Sequence, residues 1–264
     1  MTKSTKPVVV VTGGASGIGA ATCEVLAGRG WTVVVADIAR EAGERVARAI
    51  GGDFFAIDVA DEKGVDAVAE AIVARHGPVT GLVTSAGVIQ KPVPPEELPM
   101  ETWDRIVQID QRGTYVTCVA FGRRMAAHGS GGSIVNIASV AGSRSMPLQS
   151  YSPAKAAVIS MTACLAAAWG RDDVRVNSVS PGYTATPALQ IEIDAGRRDP
   201  SRLSGNAALN RLVRPAEIGE AVAFLLSPAS SAISGIDLPV DCGWLAGSTW
   251  ATYGGLPSST QRKA

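Results

Sequence analysis

Two side chains four residues apart, the phenol of Tyr151 and the ammonium of Lys155, are the pair in this sequence best suited to move a proton. On a helix that spacing puts both on one face, one turn apart. A free phenol ionises near pH ~10, so about one molecule in a thousand is phenolate at neutrality. A fixed positive charge beside it favours the ionised form, and a fall of three units corresponds to roughly 4 kcal/mol. With a second cation nearby, such as an oxidised nicotinamide ring, the pair would act as a general base for a hydroxyl proton. Tyr-x-x-x-Lys alone is a weak signal, because surface pairs share the spacing.

A second constellation supplies the context. Thr12-Gly13-Gly14-Ala15-Ser16-Gly17-Ile18-Gly19 follows the β-branched run Val8 to Val11 and leads into a helical stretch. Glycines between a strand and a helix allow positive φ and a close approach of backbone N–H groups to a pyrophosphate. The helix N-terminus then presents partial positive charge to the anion. The Gly-x-x-x-Gly-x-Gly spacing differs from Gly-x-Gly-x-x-Gly but can do the same work. Asp37, eighteen residues after Gly19, closes the next apolar run. A carboxylate there can accept both ribose hydroxyls of an adenosine and repels a 2′-phosphate, which favours NAD over NADP. Arg40 is the counter-signal, since an arginine in that loop can tolerate a phosphate.

The elements that must hold these groups alternate strictly. Strands are expected at Val8–Val11, Trp31–Ala36, Phe54–Ile57, Gly81–Thr84, Ser133–Ala138, Val174–Ser180 and around Ile236–Val240. Helices are expected at Ile18–Arg29, Glu41–Ile50, Glu62–His76, Met100–Ala127, Tyr151–Trp169 and Pro215–Leu226. Strands separated by helices of this length mean an α/β fold: a Rossmann-type, doubly wound parallel sheet of about seven strands covered on both faces. The stretch from Pro181 to Leu212 reads as one long irregular segment, a lid or binding element.

Composition narrows the rest. At 264 residues, 46% hydrophobic and 18% charged, the chain suits one large domain. That domain is read as 7–253, with an N-terminal tail 1–6 and a C-terminal tail 254–264. Zero formal net charge gives no electrostatic case for a nucleic-acid partner. Cys23, Cys118, Cys164 and Cys242 are scattered, and His76 and His128 lie far apart, so no metal site is expected. No run approaches a membrane span and no secretory segment opens the chain, which makes cytoplasmic localisation the default.

Taken together, the motifs resemble the short-chain dehydrogenase/reductase family in its common ~250-residue form. The resemblance runs from Val8 to about Gly243. It is carried by the glycine turn, Asp58-Val59, Ala86-Gly87, Asn136-Ile137-Ala138-Ser139, Tyr151 to Lys155, Asn177 to Gly182, Thr186 and Arg214 to Ile218. It implies that Tyr151 is the acid/base, that Lys155 tunes it and holds the nicotinamide ribose, and that Ser139 hydrogen-bonds the substrate oxygen. It assigns the dinucleotide to Gly13, Ser16, Gly17, Ile18, Gly19, Asp37, Asp58, Val59, Ala86, Gly87, Tyr151, Lys155, Pro181, Gly182, Thr184 and Thr186. A homotetramer is implied as well, with the helices near Met100–Ala127 and Ser150–Trp169 at one interface.

Three departures stand out. Thr84-Ser85 replaces the family's usual asparagine pair before Ala86-Gly87, which would rearrange a side-chain tie across the sheet. Asp110 stands where the family usually places an asparagine of its proton relay. Its backbone carbonyl and helix kink would survive, but its carboxylate would pair with Lys155 and blunt its action on Tyr151. The loop from Ser139 to Tyr151 is one residue short.

The implied reaction is NAD-dependent interconversion of a secondary alcohol and a ketone. Gln90, Ser145 and Gln149 lean toward a polyol or sugar; a 3-oxoacyl or hydroxysteroid-type carbonyl reductase is the alternative. A different class, a dinucleotide-binding regulator with weak catalysis, is motivated by Asp110. An epimerase or dehydratase is disfavoured by the short C-terminal part. The aromatic tail Trp244, Trp250 and Tyr253 is read as oligomer packing or as closing a neighbour's pocket.

Overall fold

The computed structural model describes residues 6–257. Seven strands form one sheet: β1 (Val8–Thr12), β2 (Thr32–Asp37), β3 (Asp53–Ala56), β4 (Val79–Thr84), β5 (Gly132–Ile137), β6 (Val174–Pro181) and β7 (Asp237–Val240). Their order across the sheet is β3-β2-β1-β4-β5-β6-β7, and every neighbouring pair is parallel. Parallel sheets need both faces covered, which is why β1 is all valine until Thr12. Val8 and Val10 pack on one face with Ile72, Phe121 and Leu165. Val9 and Val11 pack on the other with Leu26, Ile218 and Leu225. The order reverses between β1 and β4, so a crevice opens at the C-terminal ends of these strands.

The helices that cover the sheet are α1 (Gly17–Gly28), α2 (Arg40–Ile50), α3 (Glu62–His76), α4 (Met100–Ile106), α5 (Thr114–His128), α6 (Tyr151–Trp169), α7 (Pro187–Asp194), α8 (Pro200–Ser204), α9 (Pro215–Leu226) and α10 (Trp244–Gly247). The expected helix over Met100–Ala127 is interrupted: Val107–Gly113 is a π-helical turn between α4 and α5. Asp110 lies inside it. The stretch read as irregular also differs, because it holds α7 and α8. Thr186 caps α7 by accepting from the Leu189 N–H, and Asp199 caps α8 by accepting from the Ser201 N–H. Proline follows each cap at the first helical position, where its missing N–H costs nothing.

The expected C-terminal tail falls largely outside the described residues. Of its aromatic approach, Trp244 packs edge-on against Tyr183, with ring centroids 5.8 Å apart, while Trp250 and Tyr253 stay exposed.

Candidate active site

The glycine turn is built from three residues with three separate reasons to lack a side chain. Gly13 has φ +67°, and a Cβ there would sit 2.6 Å from the Ala86 nitrogen. The loops after β1 and β4 therefore touch backbone to backbone. A Cβ on Gly19 would run into the Gly13 carbonyl oxygen, so the first turn of α1 packs directly on the loop. Gly17 has φ +53°, yet a Cβ there would meet only Thr186, at 3.6 Å. Its face is open, and Thr186 stands across the gap.

The start of α1 is bare in the electrostatic sense. Ser16, its exposed N-cap residue, makes no side-chain cap, and the first turn carries no acidic residue. Ile18 is half-buried and packs toward the α1–α9 core. Unsatisfied N–H groups facing an open glycine fit a dinucleotide pyrophosphate.

Asp37 ends β2. One carboxylate oxygen accepts from the Ala15 N–H (3.0 Å) and the other from the Ala39 N–H (2.8 Å). A carboxylate has about four acceptor positions, so two are spent orienting it and two are left for a pair of hydroxyls. Arg40 turns elsewhere: its guanidinium lies 5.8 Å from the Phe54 ring centroid and 3.5 Å from Glu44. Further along the same edge, exposed Asp58 accepts from the Ala60 N–H at 2.9 Å, and buried Val59 packs under Gly113 of the π turn.

At the other end of the crevice, Lys155 is 5% exposed. Its Nζ donates to the Ile137 carbonyl at 3.1 Å, lies 3.2 Å from Asp110 Oδ2, and sits 5.5 Å from the centre of the Tyr151 ring. Burial alone would lower the Lys155 pKa; the charges of Tyr151 and Asp110 outweigh it and hold the ammonium above the usual lysine range. Asp110 is fully buried, and burial pushes its carboxyl above the usual carboxylate range against the pull of Lys155 and of the Val88 N–H. Its Oδ1 accepts from that N–H at 2.8 Å. Its Oδ2 faces Lys155 without an aligned hydrogen bond and has no other partner among the described residues. Gly87 closes this corner, since a Cβ there would lie 2.9 Å from Asp110 Oδ2. The expected pairing of Asp110 with Lys155 is thus present. The Asp110 carbonyl is also in use, accepting from Thr114 at 2.7 Å.

Ser139 follows β5 in extended conformation, its Oγ accepting from the Ala141 N–H at 3.1 Å. That leaves its hydroxyl proton free to donate to an oxygen. Pro181 ends β6 beside Val240 of β7, Gly182 follows against Asp241, and Thr184 Oγ1 donates to the Gly182 carbonyl at 2.9 Å. This loop carries Thr186 back over Gly17. The tie across the sheet also survives in altered form. Thr84 donates to Asn136 at 2.8 Å, and Asn136 donates to Thr162 of α6 at 2.9 Å, in the buried register Thr84–Asn136.

Gln90 differs from its expected place in the substrate wall. It is 3% exposed, and its carboxamide is engaged at both ends, the oxygen by Ser150 and the NH2 by Gln149. Sequence reasoning also missed the Ile137 carbonyl that orients Lys155, and Gly142, where a Cβ would lie 2.8 Å from the Lys155 carbonyl carbon. No local pattern marks a backbone acceptor. Among the described residues no group of acidic, cysteine or histidine side chains could hold a metal ion.

The doubly wound sheet, the open glycine cradle at its switch point and the buried Lys155 beside Tyr151 define a dinucleotide-dependent oxidoreductase. The chain belongs to the short-chain dehydrogenase/reductase family: residues 13–245 match the family model described as enoyl-(acyl carrier protein) reductase. It is 40% identical over 245 residues to cis-4-hydroxycyclohexanecarboxylate dehydrogenase of Sinomonas cyclohexanicum, covering 90% of this chain and 96% of that one. It is 39% identical to D-threitol dehydrogenase of Mycolicibacterium smegmatis, covering 90% and 92%. A solved structure described as ribose-5-phosphate isomerase from Brucella melitensis 16M superposes with a TM-score of 0.93 at 50% identity, covering 97% and 99%. ElxO with NADP bound superposes at 0.87 and 26% identity, covering 91% and 99%. The protein is therefore an oxidoreductase of the alcohol–ketone type, working on small molecules with a nicotinamide dinucleotide.

Proposed function

We propose that the protein oxidises a secondary alcohol of a polyol or cyclic hydroxy compound with NAD, and runs the reverse ketone reduction. The observation that carries this reading is the Lys155 ammonium, anchored by Ile137 and held 5.5 Å from the Tyr151 ring. Tyr151 reacts as the phenolate, the form a neighbouring Lys155 ammonium favours, and takes the hydroxyl proton of the carbinol to become the phenol. Ser139 donates to the same oxygen and steadies the charge that develops on it. Gly13, Gly17, Gly19 and the bare N-terminus of α1 hold the dinucleotide; Asp37 takes the adenosine ribose, with Asp58, Val59, Ala86 and Gly87 beside it. Pro181, Gly182, Thr184 and Thr186 enclose the nicotinamide end. When bound, the nicotinamide supplies the hydride acceptor.

Asp37, with two acceptor positions left over, and Arg40, engaged by Phe54 and Glu44, support NAD rather than NADP. The dehydrogenases of cyclic and linear hydroxy compounds among the relatives support the substrate class. The exposed small residues Ala163, Cys164, Ala167 and Ala168 of α6 support packing against a second copy in a homotetramer. Reduced thiols support a cytoplasmic setting, with Cys23 and Cys118 pushed up to about 12 by burial. Absorbance at 340 nm with NAD and then NADP, over a panel of polyols, sugars and cyclic hydroxy acids, tests the reading; a higher kcat/KM with NADP on the best alcohol would overturn the cofactor assignment. The isomerase description of the 50% identical structure supports a second reading, aldose–ketose isomerisation of a sugar phosphate. Conversion of ribose 5-phosphate with no dinucleotide added would establish it.

A further inference from the structure

We infer that Gln149 selects substrates with a second oxygen near the reacting carbinol, donating to that oxygen from its carboxamide NH2, and that Gln90 fixes this orientation. The inference deepens the alcohol-dehydrogenase reading and rests on it.

Amide ends are usually ambiguous, but here one backbone group settles two of them. The Ser150 N–H can only donate, so the Gln90 atom 2.9 Å away is its carbonyl oxygen. The Ser150 hydroxyl donates to the same oxygen at 2.8 Å. The other end of the Gln90 amide can only donate, and it meets Gln149 at 2.9 Å. The Gln149 atom in that contact must therefore be the carbonyl oxygen. What Gln149 keeps free is its NH2, which has no hydrogen-bond partner among the described residues. Gln90 is 3% exposed, so water competes little for these bonds. Gln149 is half-buried.

Position completes the argument. Gln149 precedes Tyr151 by two residues, so their Cα atoms lie within about 7 Å. Ser150, which Gln90 grips twice, is the N-cap residue of α6. The clamp thus joins the loop after β4 to the residue before Tyr151 and leaves a donor without a partner on the residue two positions from the proton-transfer group. A site built to hydrogen-bond a substrate oxygen discriminates strongly against the analogue that lacks it. The oxidation itself is unchanged: hydride passes from the carbinol carbon to NAD, the proton to Tyr151, and the ketone leaves.

Three alcohols test the idea, each with NAD and with NADP: cyclohexanol, cyclohexane-1,2-diol and 2-methoxycyclohexanol, whose ether oxygen can only accept. In the wild type, kcat/KM for the diol and for the methoxy alcohol should exceed that for cyclohexanol at least tenfold. Gln149→Met, similar in length but without a donor, should cut both ratios below threefold. Gln90→Glu keeps the two Ser150 donors on its carboxylate but cannot donate to Gln149. The Gln149 amide then turns over and presents its carbonyl. The diol, which can donate, should keep its advantage, while the methoxy alcohol loses at least tenfold. A purely structural role for Gln90 would lower all three substrates together. Unchanged ratios in Gln149→Met, or a uniform fall in Gln90→Glu, overturn this inference alone. If the wild type oxidises none of the three with either dinucleotide, the inference falls together with the dehydrogenase reading on which it rests.

Discussion

The turn between β1 and α1 and the face of α6 that carries Tyr151 and Lys155 lie on the same edge of the sheet, yet they use opposite means. The turn works by omission: Gly13 and Gly19 let two loops and a helix start approach until backbone meets backbone, Gly17 leaves open space, and no side chain caps the exposed N–H groups. The α6 face works by accumulation: a lysine ion-paired with an aspartate, and two glutamines hydrogen-bonded in a chain with a serine, are all buried or half-buried. The first arrangement tolerates no added atoms at Gly13 or Gly19. The second tolerates no lost partners, since a buried polar group left unpaired costs about 1–3 kcal/mol.

The contrast breaks hardest at Tyr151. Tyr151→Phe removes one oxygen from the accumulated site and should lower kcat by about 10²–10⁴-fold, while dinucleotide binding, followed by fluorescence quenching, stays near wild type. Loss of binding along with turnover would mean the two regions are not separable. On the other side, Gly13→Ala should lower stability by more than about 2 kcal/mol, from a left-handed φ of +67° plus a Cβ 2.6 Å from the Ala86 nitrogen. Gly17→Ala, equally left-handed but opening onto free space, should cost only about 1–2 kcal/mol. Urea denaturation of the two variants measures the difference, and equal losses would refute the loop-contact account of Gly13.

Asp110→Asn sharpens the charge side. It leaves the Lys155 ammonium unopposed by a carboxylate, so the limb on which alcohol oxidation rises with pH should move about one unit lower. Stability follows with a definite sign. Lys155 is held above its unfolded value, so its contribution is complete below about pH 10.4 and is lost as pH rises through the folded value. Removing one of the charges that raise it should make that alkaline loss smaller and complete it at a lower pH, read from denaturation midpoints between about pH 9 and 12. The smallest effect is expected at Glu217, which caps α9 and bonds Arg211 and Arg214, and is pulled down to about 2 by them. Its contribution is present above about pH 4.3 and lost as pH falls toward 2. Glu217→Gln should cost about 1 kcal/mol at pH 7 and almost nothing at pH 2.

The two regions also differ in how far the sequence discloses them. The glycine turn, Asp37 and the Tyr151–Lys155 pair are local: each is a residue type at a fixed offset from a strand end or along one helix. All seven strands and α3, α6 and α9 followed from the same kind of local periodicity. The start signals of α7 and α8, Thr186-Pro187 and Asp199-Pro200, were present as well, but both helices are too short for periodicity to separate them from loop. The Gln90 clamp joins residues 60 positions apart, and nothing near Gln90 announces it. A polar residue near a presumed pocket reads as substrate-facing until burial shows otherwise. The Asp110–Lys155 pair could be anticipated only because the resemblance had already placed both residues at one site.

A π-helical turn such as Val107–Gly113 holds one residue more than an α-helical path over the same rise. Deleting one of those residues would let the segment relax to α geometry with α4 and α5 in place, while residues inside the turn change facing by up to about 100°. Asp110 would then swing away from Lys155. This stretch should therefore be intolerant of changes in length, while the loop between α7 and α8 shortens at little cost. A scan of single-residue deletions would draw that boundary directly.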